Sequence, residues 1–234
     1  MQKTITDIQA HYGPLIAQKA LEMEAIRLSV AEPFTWASGY RMPIYNDNRR
    51  LLADPRAREL ICDAFAAIVE NLGEDFDQIA GTATAGIPHA TSLADRLGKS
   101  LSYVRSSGKD HGLQNRIEGL GADGSYQGGR VLLIEDLIST GGSSIHAVEA
   151  IREAQGSISY CLAIFTYGLQ ASLDAFASLS PSCEAVTLLD YDTMVATART
   201  AGYVDENEAQ LLSDWRIDPF GWGSAHGFPP KQKE

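Results

Sequence analysis

The stretch VLLIEDLISTGG (131–142) decides the fold, because four aliphatic residues run into two adjacent acids and then into a small, hydroxyl-rich turn. A short continuous apolar run bounded by turn signals predicts a parallel strand covered on both faces. Glu135 and Asp136 then mark its carboxyl end. Ser139, Thr140, Gly141, Gly142, Ser143 and Ser144 follow with backbone freedom and hydroxyls. Beyond them SSIHAVEAIREAQG (143–156) puts Ile145, Val148 and Ile151 on one helical face, with Gly156 as the stop. The unit is a strand, an acidic pair, a small-residue loop and a helix.

The same alternation continues on both sides. PLIAQKALEMEAIRLSV (14–30) predicts an amphipathic helix with Pro14 in its first turn. A loop-rich stretch over 31–50 precedes DPRARELICDAFAAIVENLG (54–73), the clearest helix, capped by Asp54 and ended by Gly73. Strands are expected over 77–81, 101–104, 157–167 and 184–190, and helices over 87–98, 191–201 and 205–215. Residues 105–129 are charged and Gly-rich without apolar periodicity. Strands alternating with helices imply a single α/β domain, a mostly parallel sheet flanked by helices. Residues 1–50 form an N-terminal cap, 51–215 the core, and 216–234 a polar tail whose end, SAHGFPPKQKE (224–234), is expected to fray.

At 44% hydrophobic and 21% charged residues, the 234-residue chain has the composition of a globular protein with a sizeable core. Its net charge of -11 speaks against nucleic-acid or anionic-membrane partners. Cys62, Cys161 and Cys183 have no metal-type spacing and read as packed, reduced thiols. His11, His89, His146 and His226 have no partner spacing for a metal. No signal-type or membrane-length apolar run occurs, so a cytoplasmic location is expected. GLGADG (119–124) matches GxGxxG but neither follows a strand nor opens a helix, and reads as a loop.

In open α/β sheets ligands sit beyond the carboxyl ends of the strands, which puts the turns after Gly81, Val104 and Ile134 on one rim. Backbone N–H groups feeding a helix N-terminus cradle an anion, and the hydroxyls of residues 139–144 add donors suited to phosphate. Two carboxylates beside that cradle suit neutral hydroxyls, which donate to them. The composite reads as a site for ribose 5-phosphate.

EDLISTGGS after VLLI resembles the signature of the type I phosphoribosyltransferases, enzymes that use phosphoribosyl pyrophosphate (PRPP). YVRSSGKDHGLQNRIEG (103–119) resembles the mobile catalytic loop of the orotate phosphoribosyltransferases, and PFTWASGYRMPIYNDNR (33–49) their N-terminal substrate loop. The resemblance implies the type I phosphoribosyltransferase fold with a hood-like N-terminal cap. It further implies transfer of ribose 5-phosphate to orotate, giving orotidine 5'-monophosphate in pyrimidine synthesis. Mg2+ is the implied cofactor, held mainly by PRPP and not directly by protein side chains, and a homodimer with shared active sites is the implied assembly.

By the same resemblance Arg105, Lys109 and His111, on a lid over 105–119, contact PRPP together with Glu135, Asp136, Leu137, Ile138, Ser139, Thr140, Gly141, Gly142 and Ser143. Lys109, Asp110 and His111 are the implied catalytic residues, and Ser139 the implied orotate contact. The cations, Arg116 included, suit a departing diphosphate, and a closing lid would exclude water from an oxocarbenium-like centre. GTATAGIP (81–88) is small and uncharged, suited to backbone N–H groups facing the diphosphate, with Ala85 where many relatives carry lysine. Ala37 and the region of Tyr167 stand where some relatives carry a lysine and an arginine, so Arg41, Tyr45, Asp47 and Arg49 are further candidates for the substrate. The rival readings are transfer to another base and a non-catalytic PRPP sensor on the same fold.

Overall fold

The computed structural model describes residues 3–106 and 116–231. Lys109, Asp110 and His111 lie outside the described residues. Where the apolar pattern predicts a helix from Pro14, α1 instead spans Ile5–Glu22, with Pro14 inside it. Thr4 and Asp7 form a reciprocal capping box that starts the helix earlier. Packing carries it through the proline: a Cβ on Gly13 would lie 3.2 Å from the Leu188 carbonyl oxygen. Nor does the helix continue to Val30. It gives way to β1 (Ile26–Leu28), which pairs antiparallel with β4 (Ile44–Asn46). Between them β2 (Phe34–Thr35) pairs with β3 (Arg41–Met42), and a 3-10 turn, Asn48–Ala53, leads into α2 (Pro55–Asn71). The segment 31–50 is thus two short ribbons rather than loop.

The core alternates as expected through β5 (Gln78–Thr82), α3 (Gly86–Leu97), β6 (Ser100–Val104), β8 (Arg130–Ile138), α4 (Gly142–Glu153) and β9 (Ser157–Thr166), with one short strand that the pattern does not predict, β7 (Ile117–Glu118), between β6 and β8. It continues through α5 (Gln170–Ala177), β10 (Glu184–Asp190), α6 (Tyr191–Thr200) and α7 (Glu206–Ile217) to α8 (Trp222–Ala225). The sheet order is β10-β9-β8-β5-β6-β7, parallel except for the antiparallel edge pair β6–β7. Side chains of β8 alternate between two cores: Leu132 and Ile134 pack with α1, α2 and α3, while Val131 and Leu133 pack with α4.

Strand β8 does not end before the acids. Its pairing with β5 stops at Ile134, opposite Gly81, but its pairing with β9 runs on to Ile138, opposite Thr166. Glu135 and Asp136 therefore lie inside a strand whose β5 side has become free. At the far end of α4 the left-handed residue is Gln155, not Gly156. The C-terminal segment is docked rather than frayed: Trp222 is buried, and the Lys231 N–H donates to the Gly39 carbonyl at 2.9 Å. All three cysteines are buried free thiols, and no helix among the described residues is long and apolar enough to cross a membrane.

Candidate active site

Glu135 sits at the centre of the rim. It is 4% exposed, and its Oε1 accepts from the Thr82 hydroxyl at 2.6 Å and from the Asp136 N–H at 3.0 Å. Its Oε2 accepts from the hydroxyls of Ser143 at 3.2 Å and Ser144 at 3.4 Å. These four donors match the roughly four acceptor sites of a carboxylate. Burial pushes the Glu135 carboxyl up to about 7 and raises that of Asp136 as well. Asp136 is half-buried, and its carbonyl accepts from Asn48 Nδ2 at 2.7 Å.

Three segments enclose a cavity of about 420 Å³ on this rim. The first is Ala83, Thr84 and Ala85 after β5, where the Ala83–Thr84 peptide is cis. The second is Glu135, Asp136 and Leu137 with the loop Ser139, Thr140, Gly141, Gly142 and Ser143. The third, from the N-terminal cap, is Asn46, Asp47 and Arg49. Gly141 has φ +87°, and a Cβ there would lie 3.4 Å from Ala175 Cβ and 3.5 Å from Ser172 Cα, so the loop is backed by α5. Gly142 and Ser143, the first residues of α4, line the cavity, and N–H groups at a helix start suit an anion. Arg49 is the cation among the described lining residues, its Nε 2.5 Å from Asp47 Oδ1. It stands in a cavity whose β5 turn carries the uncharged Ala85.

The structure thus brings together the acid pair, Leu137, residues 139–143, Asp47 and Arg49. Ile138 is directed elsewhere, into a separate apolar groove of about 630 Å³ beside Phe176 and Leu173. Within the segment 105–119, the Arg105 N–H donates to the Arg116 carbonyl at 2.8 Å. The Arg105 guanidinium lies 3.4 Å from Glu118, and that of Arg116 donates to the His146 carbonyl at 3.1 Å. Arg41 lies against the C-terminal segment, its guanidinium 5.7 Å from the Phe228 ring. The Arg27 guanidinium stacks 5.0 Å from the Tyr45 ring. Tyr167 is buried in an aromatic cluster with Phe165, Trp36 and Trp215 at centroid distances of 5.1, 5.6 and 5.5 Å. It is a packing residue in the region where some relatives carry an arginine. Sequence reading missed the side chains of Asn46, Asn48 and Thr82; the polar run NDNR was the available signal for the two asparagines, and Thr82 lies in GTATAGIP, which was read for its backbone alone.

The family model described as the phosphoribosyl transferase domain matches residues 47–170, a span holding nearly all of this cavity. An orotate phosphoribosyltransferase of Bacillus caldolyticus is 47% identical over 209 residues, covering 89% of this chain and 98% of the relative. The chain belongs to the orotate phosphoribosyltransferases. A family member from Staphylococcus saprophyticus is 44% identical over 86% of this chain and 96% of its own. The crystal structure of the Aeropyrum pernix orotate phosphoribosyltransferase superposes with a TM-score of 0.65 at 27% identity, covering 81% of this chain and 99% of that one.

Proposed function

We propose that the chain transfers the ribose 5-phosphate group of PRPP to orotate, giving orotidine 5'-monophosphate and diphosphate in pyrimidine synthesis. The observation that carries this reading is the facing of Asp136 and the N-terminus of α4 into one cavity in a chain of this family. Asp136 accepts hydrogen bonds from the ribose hydroxyls, while the backbone and hydroxyls of residues 139–143 hold the 5'-phosphate. Glu135, with its oxygens occupied by protein donors, shapes the loop. Ser139 contacts orotate. The bond from the anomeric carbon to diphosphate breaks as the bond to the pyrimidine nitrogen forms, the nitrogen's proton passing to the released diphosphate, with no covalent enzyme intermediate. Arg105, Lys109 and His111 stabilise the departing diphosphate, and Asp110 positions the lid.

The described lining offers hard oxygen donors and neither His nor Cys, a set that fits Mg2+. When bound, Mg2+ would be held mainly by PRPP rather than by protein side chains and would supply neutralisation of the charge that develops on diphosphate. A cytoplasmic homodimer with shared sites completes the proposal; the segment 105–116 is flanked in sequence by the sheet's edge pair, β6–β7.

The test follows the ultraviolet absorbance of orotate with purified protein, PRPP and Mg2+, beside a panel of purine bases and uracil. A fall that needs metal, and that Lys109→Ala abolishes, supports the assignment. Turnover with another base alone overturns the substrate, and PRPP binding without turnover of any base favours a sensor.

A further inference from the structure

We propose that Thr82 is a positioning residue for this reaction: by holding Glu135 from across the sheet, its hydroxyl fixes Asp136 and the start of α4 against the ribose 5-phosphate of the donor. The inference rests on the transfer reaction proposed above and deepens it.

Thr82 is the last residue of β5 and is 5% exposed. It is not among the residues lining the cavity. Its Oγ1 lies 2.6 Å from Glu135 Oε1 and 3.3 Å from the Ile134 carbonyl oxygen. A Cβ placed on Gly86 would fall 2.6 Å from that same Oγ1 and 2.5 Å from the Ile134 oxygen, so the first turn of α3 presses the hydroxyl into place. With β5 and β8 no longer paired beyond Gly81 and Ile134, this hydroxyl takes over where the ladder stops. It joins the strand ends just before the turn 83–85 leaves one and Asp136 follows on the other.

The far side of Glu135 completes the connection. Oε2 accepts from Ser143 and Ser144, the second and third residues of α4. One buried carboxylate therefore ties the end of β5, the middle of β8 and the beginning of α4. A charge-assisted hydrogen bond sealed from water is costly to leave unmade, so the carboxylate would turn or drift if its nearest donor were removed. Asp136 is the next residue and would move with it. The turn 83–85 keeps its own anchor, the Ala83 N–H to the Val104 carbonyl at 2.8 Å. The effect is accordingly expected on the ribose-phosphate half of the donor rather than on orotate.

The experiment compares wild type, Thr82→Val and Thr82→Ser in turnover of orotate with PRPP and Mg2+, and in PRPP binding by calorimetry. Thr82→Val preserves volume and removes the hydroxyl. It is expected to lower kcat/KM for PRPP and PRPP affinity by about ten- to a hundred-fold, the range for a lost hydrogen bond to a charged group, with the KM for orotate unchanged. Thr82→Ser restores the hydroxyl and is expected to recover most of the loss. A structural role confined to stability would lower the unfolding midpoint without this split between substrates. Parity of Thr82→Val with wild type overturns the proposal, as does a Thr82→Ser as impaired as Thr82→Val. If Thr82→Val does not fold, Thr82→Ala is measured in its place. A wild type that binds PRPP but leaves orotate untouched sinks the reaction while the affinities still judge Thr82. A wild type that binds no PRPP overturns both.

Discussion

Asn48 Nδ2 donates to the carbonyl oxygen of Asp136 across 2.7 Å, joining residues 88 positions apart. Asn48 is 1% exposed, and its own Oδ1 accepts from Asn46 Nδ2 at 3.2 Å. The N-terminal cap is thereby bonded to the backbone of the acid pair. Asn48→Ala leaves the carbonyl buried without this donor, which costs about 1–3 kcal/mol. A lower urea midpoint and a lower kcat/KM are expected together. An unchanged midpoint would mean that the bond contributes nothing to docking the cap.

Glu135 and His89 tilt the pH dependence of stability in opposite senses. Burial raises Glu135 from 4.5 to about 7, so the folded chain binds this proton more tightly than the unfolded one. Its contribution is fully present below 4.5 and is lost as pH rises through about 7. His89 is lowered from 6.5 to about 4, first by burial and then by the nearby Arg58 charge. Its contribution is present above 6.5 and is lost as pH falls through about 4. Relative to wild type, Glu135→Gln should therefore gain stability as pH rises between 4.5 and 7. His89→Gln should lose stability as pH rises from about 4 to 6.5. Each slope is at most about 1.4 kcal/mol per pH unit. Denaturant unfolding at half-unit pH intervals measures both, and difference curves that stay flat would refute the burial of these groups.

These two residues also mark where sequence reading stops. The five parallel strands of the sheet were legible because buried parallel strands are short apolar runs, whereas the two-residue edge strand β7 was not, and α2 was legible because Asp54, Pro55 and the spacing of Ile61, Phe65 and Ile68 agree. The loop 139–143 was legible from its chemistry. The unequal settings of the acids were not, since Glu135 is buried by a hydroxyl 53 residues away. The run VLLI stops at the acids, but β9 continues to pair with them, so the strand's length depended on its neighbour. Pro14 outweighed the Thr4–Asp7 box, and α5, eight residues long, was too short for its periodicity to register. The tail's polar composition concealed Trp222.

Trp222 anchors that tail to α7, and the short helix it opens packs on β3. It is 3% exposed, its Nε1 donates to the Leu211 carbonyl at 3.0 Å, and its ring stacks on His226 at 4.6 Å. Gly223 lies so close to Arg41 that a Cβ would come within 2.9 Å of its carbonyl oxygen. Trp222→Ala is expected to cost about 3–5 kcal/mol, and removal of residues 219–234 at least as much. If the tail steadies residues 33–49, the KM for orotate should rise in both variants while PRPP affinity holds. Thermal unfolding and substrate titrations check the pair, and a truncated chain with wild-type KM and melting would show that the docked tail is dispensable.

Two glycines at the starts of helices should respond oppositely to alanine. Gly86 opens α3 where a Cβ would sit 2.5 Å from the Ile134 backbone oxygen and 2.6 Å from the buried Thr82 Oγ1, closer than real Cβ contacts come. Gly86→Ala must push α3 off the sheet and part Thr82 from Glu135. A loss of about 1–3 kcal/mol, as for overpacking, is expected together with a fall in PRPP affinity. Gly142 opens α4 with nothing within 4 Å of a Cβ and no positive φ. Gly142→Ala adds a better helix former and should raise stability by about 0.4–1 kcal/mol. Because Gly142 also lines the cavity, activity separates two meanings of that open space. Wild-type affinity for PRPP would show that only its backbone N–H is used, whereas a weakened affinity at raised stability would place the donor's phosphate against its Cα.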